Sequence, residues 1–462
     1  MALTCDELAK GLGYDPASQV TQILHQLTAT ATQINKADYL YNGVGNRTSL
    51  TDRRGAQAFS YDALDRLTSA SHPLLGTAQS FAYDPVGNRT TGGSVVNTGN
   101  QLTADANFAY QYDDNGNQTR KTLLATGNFT QFTYDAENRL IKVEEFAAGA
   151  STLAATSTYR YDGLGRRIEK VANGQTKRYI YDGEDMLLEY DGANVLQARY
   201  THGPGIDEPI AVTKGGSTFF YHQDGLGSVT DLTDSAGATA KSYAYDAYGN
   251  ILESPGTVDQ PYTYTGREFD SESGLSYYRA RYYDPMIGRL IQKDPLGLRG
   301  GDVTLYNYAL NDPVNLLDPF GLASCHYSIA RHRLLCVSND QKSSEILGPE
   351  DVFSGVSACR NNPSSTCVNS ENLGPIPPGE YNMNPDNRAG HGKYWRLEPN
   401  PPVPGWQYYL GLARSGFELH PGSVSLGCIT ASKFNPTTMQ QYNRVNDLLK
   451  SESGSNVLYV TP

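Results

Sequence analysis

Cysteine is almost missing from the first two thirds of this 462-residue chain. One lies at Cys5, and the next is Cys325. A disulfide-stapled fold is therefore excluded for that stretch. The density that follows, with Cys336, Cys359, Cys367 and Cys428, marks a boundary near residue 320. Long apolar runs are lacking as well: no stretch approaches the roughly 18 consecutive apolar residues of a membrane span. Residues 1–7 have neither the basic nor the apolar region of a signal peptide. If the chain leaves its cell, a route other than general secretion is expected. Positive charge is in deficit too. The formal net charge is −12, whereas a phosphate-binding surface needs clustered Lys and Arg, so no nucleic-acid partner is expected. Tryptophan and phenylalanine are few, at 2 and 13, against 33 tyrosines and 46 glycines. That imbalance favours exposed, strand-rich surfaces joined by tight turns.

The tyrosines are explained by a repeat. Units begin at Tyr14, Tyr41, Tyr61, Tyr83, Tyr112, Tyr134, Tyr161 and Tyr181, at intervals of 27, 20, 22, 29, 22, 27 and 20 residues, and a further one begins at Tyr245. In each, an aromatic-rich strand ends in Tyr-Asp (Tyr-Asn at 41), a Gly/Asn/Asp turn follows, and a second strand leaves it. Asp and Asn bond nearby turn amides and Gly accepts positive φ, so each unit reads as a β-hairpin. One hairpin cannot bury a face; many in series can, as one long coiling sheet. Individually these tyrosines read as strand packing residues. The repeat, over roughly residues 10–322, resembles the YD repeats of the Rhs family of polymorphic toxins. That resemblance implies a spiral β-sheet shell around a C-terminal cargo.

Residues 262–322 contain "DPLGL" at 294–298 and "DPFGL" at 318–322, with "RARYYDP" between repeat and motif. The pair resembles the terminal core signature of Rhs proteins, which implies an aspartyl autoprotease that cuts just after the second copy. Carried over, Asp294 and Asp318 form the carboxylate pair, Leu322–Ala323 is the scissile bond, and Arg281 supplies a supporting charge. Two carboxylates sharing a site cannot both ionise easily, so one keeps a proton and the other can activate water. Asp-Pro-x-Gly is also a common turn opener, and "NDPVN" at 311–315 offers another Asp-Pro doing only that.

Beyond Leu322 the texture changes to Pro-rich loops alternating with short strands such as "RLLCVS", "WQYYLGLA" and "NVLYV". One helix is predicted, capped at Asn435 and opened by Pro436, with Met439, Tyr442, Val445, Leu448 and Leu449 on a packing face. In "FELHPGSVSLGCIT", His420 can deprotonate Cys428, Gly427 leaves the backbone approachable for an oxyanion hole, and Ser425 can orient the base or bind substrate. "HPGSVSLGCI", with "IPPGEY" at 376–381, resembles the His…Ser-x-Gly-Cys motif of L,D-transpeptidases, in the compact form of a secreted effector family. Two departures stand out: the His–Cys gap is short, and Leu426 replaces a common second histidine. Arg414 is a candidate for a substrate carboxylate, equally readable as a surface arginine, and His391 reads as a loop residue. Cys325 with Cys336, and Cys359 with Cys367, are candidate disulfides, which suit an oxidising periplasm.

The expected architecture is mainly β. A YD-repeat shell spans 1–261, a closing segment with the autoproteolytic site spans 262–322, and an L,D-transpeptidase-like domain with one C-terminal helix spans 323–462. The resemblances imply cytoplasmic synthesis, delivery by secretion machinery, a cognate immunity protein, and attack on peptidoglycan tetrapeptide stems in the target periplasm. No metal or organic cofactor is expected. A non-catalytic cell-surface-binding domain, or a Cys-dependent amidase or protease with another substrate, remain alternative readings of the C-terminal region.

Overall fold

The computed structural model describes residues 8–322 except 17–18, 29, 151–152, 204, 296 and 298–303, and beyond them only nine separate strands. The local rule that builds the first part is visible in most of the Tyr-Asp turns. At Tyr-Asp-x-x-Gly-Asn, the Asp carboxylate accepts the amides two and four residues on: Val86 and Asn88 on Asp84, Leu164 and Arg166 on Asp162, Tyr248 and Asn250 on Asp246. The residue three on takes positive φ, as at Gly87, Gly165 and Gly249, or Asn138 in the turn from Asp135. Asn is the side chain best suited to replace Gly there.

The tyrosine before each Asp has a second task. Its hydroxyl donates to a backbone carbonyl of the preceding unit: Tyr41 to Val20, Tyr61 to Arg47, Tyr83 to Leu67, Tyr134 to Gln118, Tyr161 to Leu140, Tyr181 to Arg167 and Tyr245 to Val229. So the dipeptide couples neighbours with one residue and locks its own turn with the next. Two positions earlier lies another aromatic, and the two-residue period of a strand turns it inward. Tyr39, Phe59, Phe81, Tyr110, Phe132, Tyr159, Tyr179 and Tyr243 are all buried. Each such side chain contributes about 2–3 kcal/mol on burial.

Strands follow one another in antiparallel order, but in two sheets rather than one. Seven strands run from Leu8–Tyr14 to Gln79–Ser80, and fifteen run from Val95–Val96 to Thr239–Ser242. The expected continuous sheet breaks at the Tyr83 unit, which is reduced to an isolated bridge, Tyr83 to Arg89. Arg89 turns away to donate to the carbonyls of Ile287 and Gly288 and lies 4.2 Å over the Tyr248 ring. Gly92 and Gly93, both at positive φ, bend the chain after it.

Residues 262–322 fill the inner faces. A four-stranded meander, Glu268–Asp270, Leu275–Tyr278, Arg281–Asp284 and Arg289–Leu290, packs Leu275, Tyr277, Tyr282 and Ile291 against Phe132, Leu140, Val143 and Tyr159. Tyr278, Tyr283 and Tyr308 form a second cluster with Tyr264 and Leu290. A buried ion-pair group ties this segment to the repeat: Arg167 meets Glu268 and Asp270, and Lys170 meets Asp270 at 2.8 Å. No α-helix occurs among the described residues.

The C-terminal strands form a mixed nine-stranded sheet. Its order is Ser344–Leu347, Arg333–Val337, Cys325–Ser328, Asn456–Thr461, Gly379–Pro385, Trp395–Pro399, Phe417–Gly422, Ile429–Ser432 and Val352–Ser354. The mainly β architecture therefore holds along the whole described chain. The helix predicted after Asn435 and the strand predicted at 406–413 lie outside the described residues.

Candidate functional site

The strand Arg281–Asp284 brings the two DPxGL copies to one guanidinium. Arg281 Nη2 lies 2.9 Å from Asp294 Oδ2 and 3.3 Å from Asp318 Oδ2. All three side chains are buried, with 4%, 7% and 12% of their surface exposed. Two carboxylates sharing one arginine inside a protein leave the group with one negative charge in excess, so a proton is favoured. Burial pushes Asp318 up; the Arg281 charge opposes this, Asp294 reinforces it, and the amides of Leu322 and Gly321 oppose it again. The result is a carboxyl titrating at about 6.

Asp318 also reaches the chain on which it would act. Its Oδ1 accepts the Leu322 amide at 2.9 Å, and its carbonyl accepts the Gly321 amide at 3.3 Å. Gly321 takes φ +63, and a β-carbon there would lie 2.6 Å from the Tyr278 carbonyl oxygen. Only glycine fits this tight approach. Three successive carbonyls upstream of Leu322 are then held by three successive residues: Pro319 by the Arg279 guanidinium, Phe320 by the Ala280 amide at 3.2 Å, and Gly321 by Arg281 Nε. Leu322 is the last residue described in this stretch, and Ala323 lies outside it. Sequence reasoning named Asp294, Asp318 and Arg281 but passed over Arg279, although it stands in the same "RARYYDP".

The second candidate constellation is described only in part. His420 lies in Phe417–Gly422, which pairs in parallel with Ile429–Ser432, Leu419 opposite Ile429 and His420 opposite Thr430. The strand that starts directly after Cys428 is thus the neighbour of the strand that carries His420. Cys428, Ser425, Gly427 and Arg414 lie outside the described residues, as do Cys359 and Cys367. Cys325–Ser328 and Arg333–Val337 are antiparallel, with His326 opposite Leu335. Continuing that register one step sets Cys325 across from Cys336.

No cluster of metal-ligating side chains occurs among the described residues, and no described helix is long and apolar enough to cross a membrane.

Comparison with known proteins finds two families on separate stretches of the chain. The family described as Teneurin YD-shell matches residues 11–314, and the Tlde1 domain matches residues 349–460. A tRNA3(Ser)-specific nuclease WapA of Bacillus spizizenii is 35% identical over 280 residues, covering 56% of this chain and 12% of its own length. Double-stranded DNA deaminase toxin A of Burkholderia cenocepacia is 32% identical over 368 residues, 70% of this chain and 25% of that protein. The chain therefore spans a quarter or less of these relatives' lengths. The crystal structure of TcdB2-TccC3-TEV superposes with a TM-score of 0.49 at 20% identity, covering 69% of this chain and 18% of that one. With the YD-shell match running along 11–314, the stretch that carries the Tyr-Asp turns, this chain belongs to the teneurin YD-shell family.

Proposed function

We propose that the chain is part of a secreted antibacterial toxin of Rhs type, in which residues 1–261 form the shell, 262–322 close it, and 323–462 form the toxin domain. The observation that carries this reading is the buried Asp294–Arg281–Asp318 group, with the Asp318 carboxylate on the Leu322 amide. In self-cleavage, Asp294 takes a proton from water while protonated Asp318 donates to the Leu322 carbonyl oxygen. The water oxygen bonds the Leu322 carbonyl carbon; as the tetrahedral adduct collapses, its hydroxyl proton returns to Asp318, Asp294 passes its proton to the Ala323 nitrogen, and the Leu322–Ala323 bond breaks. Arg281 keeps the remaining negative charge in place. Residues 323–462 are thereby freed.

For the released region, the Tlde1 match over 349–460 supports an L,D-transpeptidase-type effector, and the parallel pairing of the His420 strand with the strand after Cys428 supports a shared site. His420 takes the Cys428 proton, and the thiolate attacks the carbonyl of the L,D bond in a peptidoglycan tetrapeptide stem. D-Ala departs with a proton, and water or another amine resolves the thioester. Gly427 and Ser425 supply the oxyanion site and orientation, and Arg414 holds a stem carboxylate. Cys325–Cys336 and Cys359–Cys367 bridge in an oxidising periplasm. Delivery requires secretion machinery, and the producing cell requires an immunity protein. The WapA and deaminase names belong to relatives that match 56% and 70% of this chain and a quarter or less of their own length, so their chemistries are not carried over.

The test is to incubate the full chain and its Cys428→Ala variant with purified muropeptides and read the products by mass spectrometry. Loss of one D-Ala by the wild type alone is the expected outcome. Unchanged muropeptides would leave the C-terminal region as a binding domain, and cleavage at another bond would make it a Cys-dependent amidase.

A further inference from the structure

The carboxylate pair explains chemistry at the scissile bond but not how the chain is held in register for it. The segment 318–322 has a short Asp-Pro start, one large side chain at Phe320, and Gly321 beyond it. Something must fix its slide along the strand it faces. Arg279 occupies the far end of the run of three carbonyl contacts, opposite Pro319, three residues before the scissile carbonyl. Its guanidinium lies 5.0 Å from the centre of the Phe320 ring, a cation–π contact.

Arg279 is itself fixed from outside the segment. Asp207, in the loop after the strand Leu196–His202, accepts its Nη2 at 2.9 Å and also accepts Arg267. Glu184 adds an ion pair at 3.1 Å on Nε. Arg279 holds positive φ, +55, and so does Asp207, at +58. Strained backbone at two non-glycine residues persists where surrounding contacts over-determine it, and such positions cluster at functional clamps. A planar fork that binds a carboxylate bidentately on one side can still present an N–H and an aromatic-facing surface on the other.

We propose that Arg279, anchored by Asp207, is the positioning residue of self-cleavage, with Phe320 the side chain it recognises; the proposal rests on the self-cleavage reading above. Arg279 does not touch the reacting atoms. It sets which residue reaches the Asp294–Asp318 pair, and it accounts for the one difference between the two motif copies, Phe320 against Leu296.

The experiment is cell-free translation of the full chain with pulse–chase, fragments being sized by intact mass. Arg279→Ala is expected to slow release by about a hundredfold, the scale of an ångström's misplacement. It should also spread cleavage to bonds beside Leu322–Ala323 while leaving the pH midpoint of the rate unchanged. Arg279→Lys, keeping the charge without the fork, is expected to recover part of the rate. Phe320→Leu, which makes the two copies identical and keeps Arg279, is expected to slow release by about tenfold, and it serves if Arg279→Ala does not fold. Wild-type rate at Leu322–Ala323 alone in both variants, with Asp318→Asn inert, would overturn the clamp and leave self-cleavage standing. Wild-type cutting by Asp318→Asn would instead remove the self-cleavage reading itself.

Discussion

DPLGL at 294–298 and DPFGL at 318–322 differ by one residue and make the same local turn, with Gly297 at φ +64 and Gly321 at +63. Their surroundings differ apart from the Arg281 guanidinium that both carboxylates share. In the first copy the Asp294 amide is taken by the Leu305 carbonyl at 3.0 Å, the Gly297 amide closes back on Asp294 at 2.8 Å, and the carboxylate faces Arg281. In the second, Asp318 closes on its own Leu322 amide, and the carbonyls of 319, 320 and 321 are held by Arg279, Ala280 and Arg281. One copy delivers a carboxylate; the other delivers a carboxylate and a segment held at three successive carbonyls. A repeated motif thus specifies a turn, while the partner it docks on decides what the turn is for.

The sharpest way to break this comparison is at its two aspartates. Asp318→Asn is expected to reduce release by about a hundredfold or more, the ordinary worth of a positioned acid, as followed by pulse–chase of the full chain. The pH dependence carries the same claim. A carboxyl raised to about 6 is neutral below that value and charged above it. The wild-type rate should therefore fall about tenfold per pH unit above 6, whereas the residual rate of Asp318→Asn should not follow that curve. A rate indifferent to pH between 6 and 8 would contradict the acid role of Asp318.

Next in size is the glycine pair. A β-carbon at Gly321 would meet the Tyr278 carbonyl oxygen at 2.6 Å and the Arg281 amide nitrogen at 3.2 Å, both backbone atoms that cannot swing away. Gly321→Ala is expected to slow release by about tenfold to a hundredfold through displacement of segment 318–322. Gly297→Ala carries the same positive-φ strain, about 1–2 kcal/mol, but lies outside the segment before the proposed scissile bond. It is expected to lower the melting temperature while changing the rate only a few-fold. Equal rate losses in the two variants would mean that the copies play equal parts.

What the sequence made legible follows the distance over which each contact acts. The Tyr-Asp turn is local, since Asp84 bonds residues 86 and 88, so its repeat could be read directly. The tyrosine hydroxyls reach 14 to 21 residues back, far enough that packing was the natural reading and the carbonyl contacts went unseen. Asp294 and Asp318 stand out because their motif occurs twice, and Arg281 is a candidate only as a charge in "RARYYDP". The anchor of Arg279 does not stand out, because Asp207 lies 72 residues away in a loop without a repeat signature. The break between the sheets was equally hidden, since Arg89 leaves its strand for carbonyls 198 and 199 residues on.

The smallest expected effect comes from the Asp-Pro at 312–313, and it tests whether proximity in sequence suffices. Asp312 lies six residues from Asp318 and is buried. Its carbonyl accepts the amides of Asn315 and Leu316, and its Oδ1 accepts Asn315 Nδ2 at 2.7 Å. Asn315 in turn donates from the same side chain to the Tyr61 hydroxyl and accepts the Arg47 amide, so Asp312 serves the joint between the closing segment and the first sheet. Asp312→Asn should weaken that joint by about 1 kcal/mol, the usual worth of one hydrogen bond, visible as a lower melting temperature. Release of 323–462 should stay within about twofold of wild type, because Arg281 and the segment it holds are untouched. A loss comparable to that of Asp318→Asn would show that the closing segment transmits strain to the carboxylate pair, and the division of labour between the Asp-Pro turns would have to be redrawn.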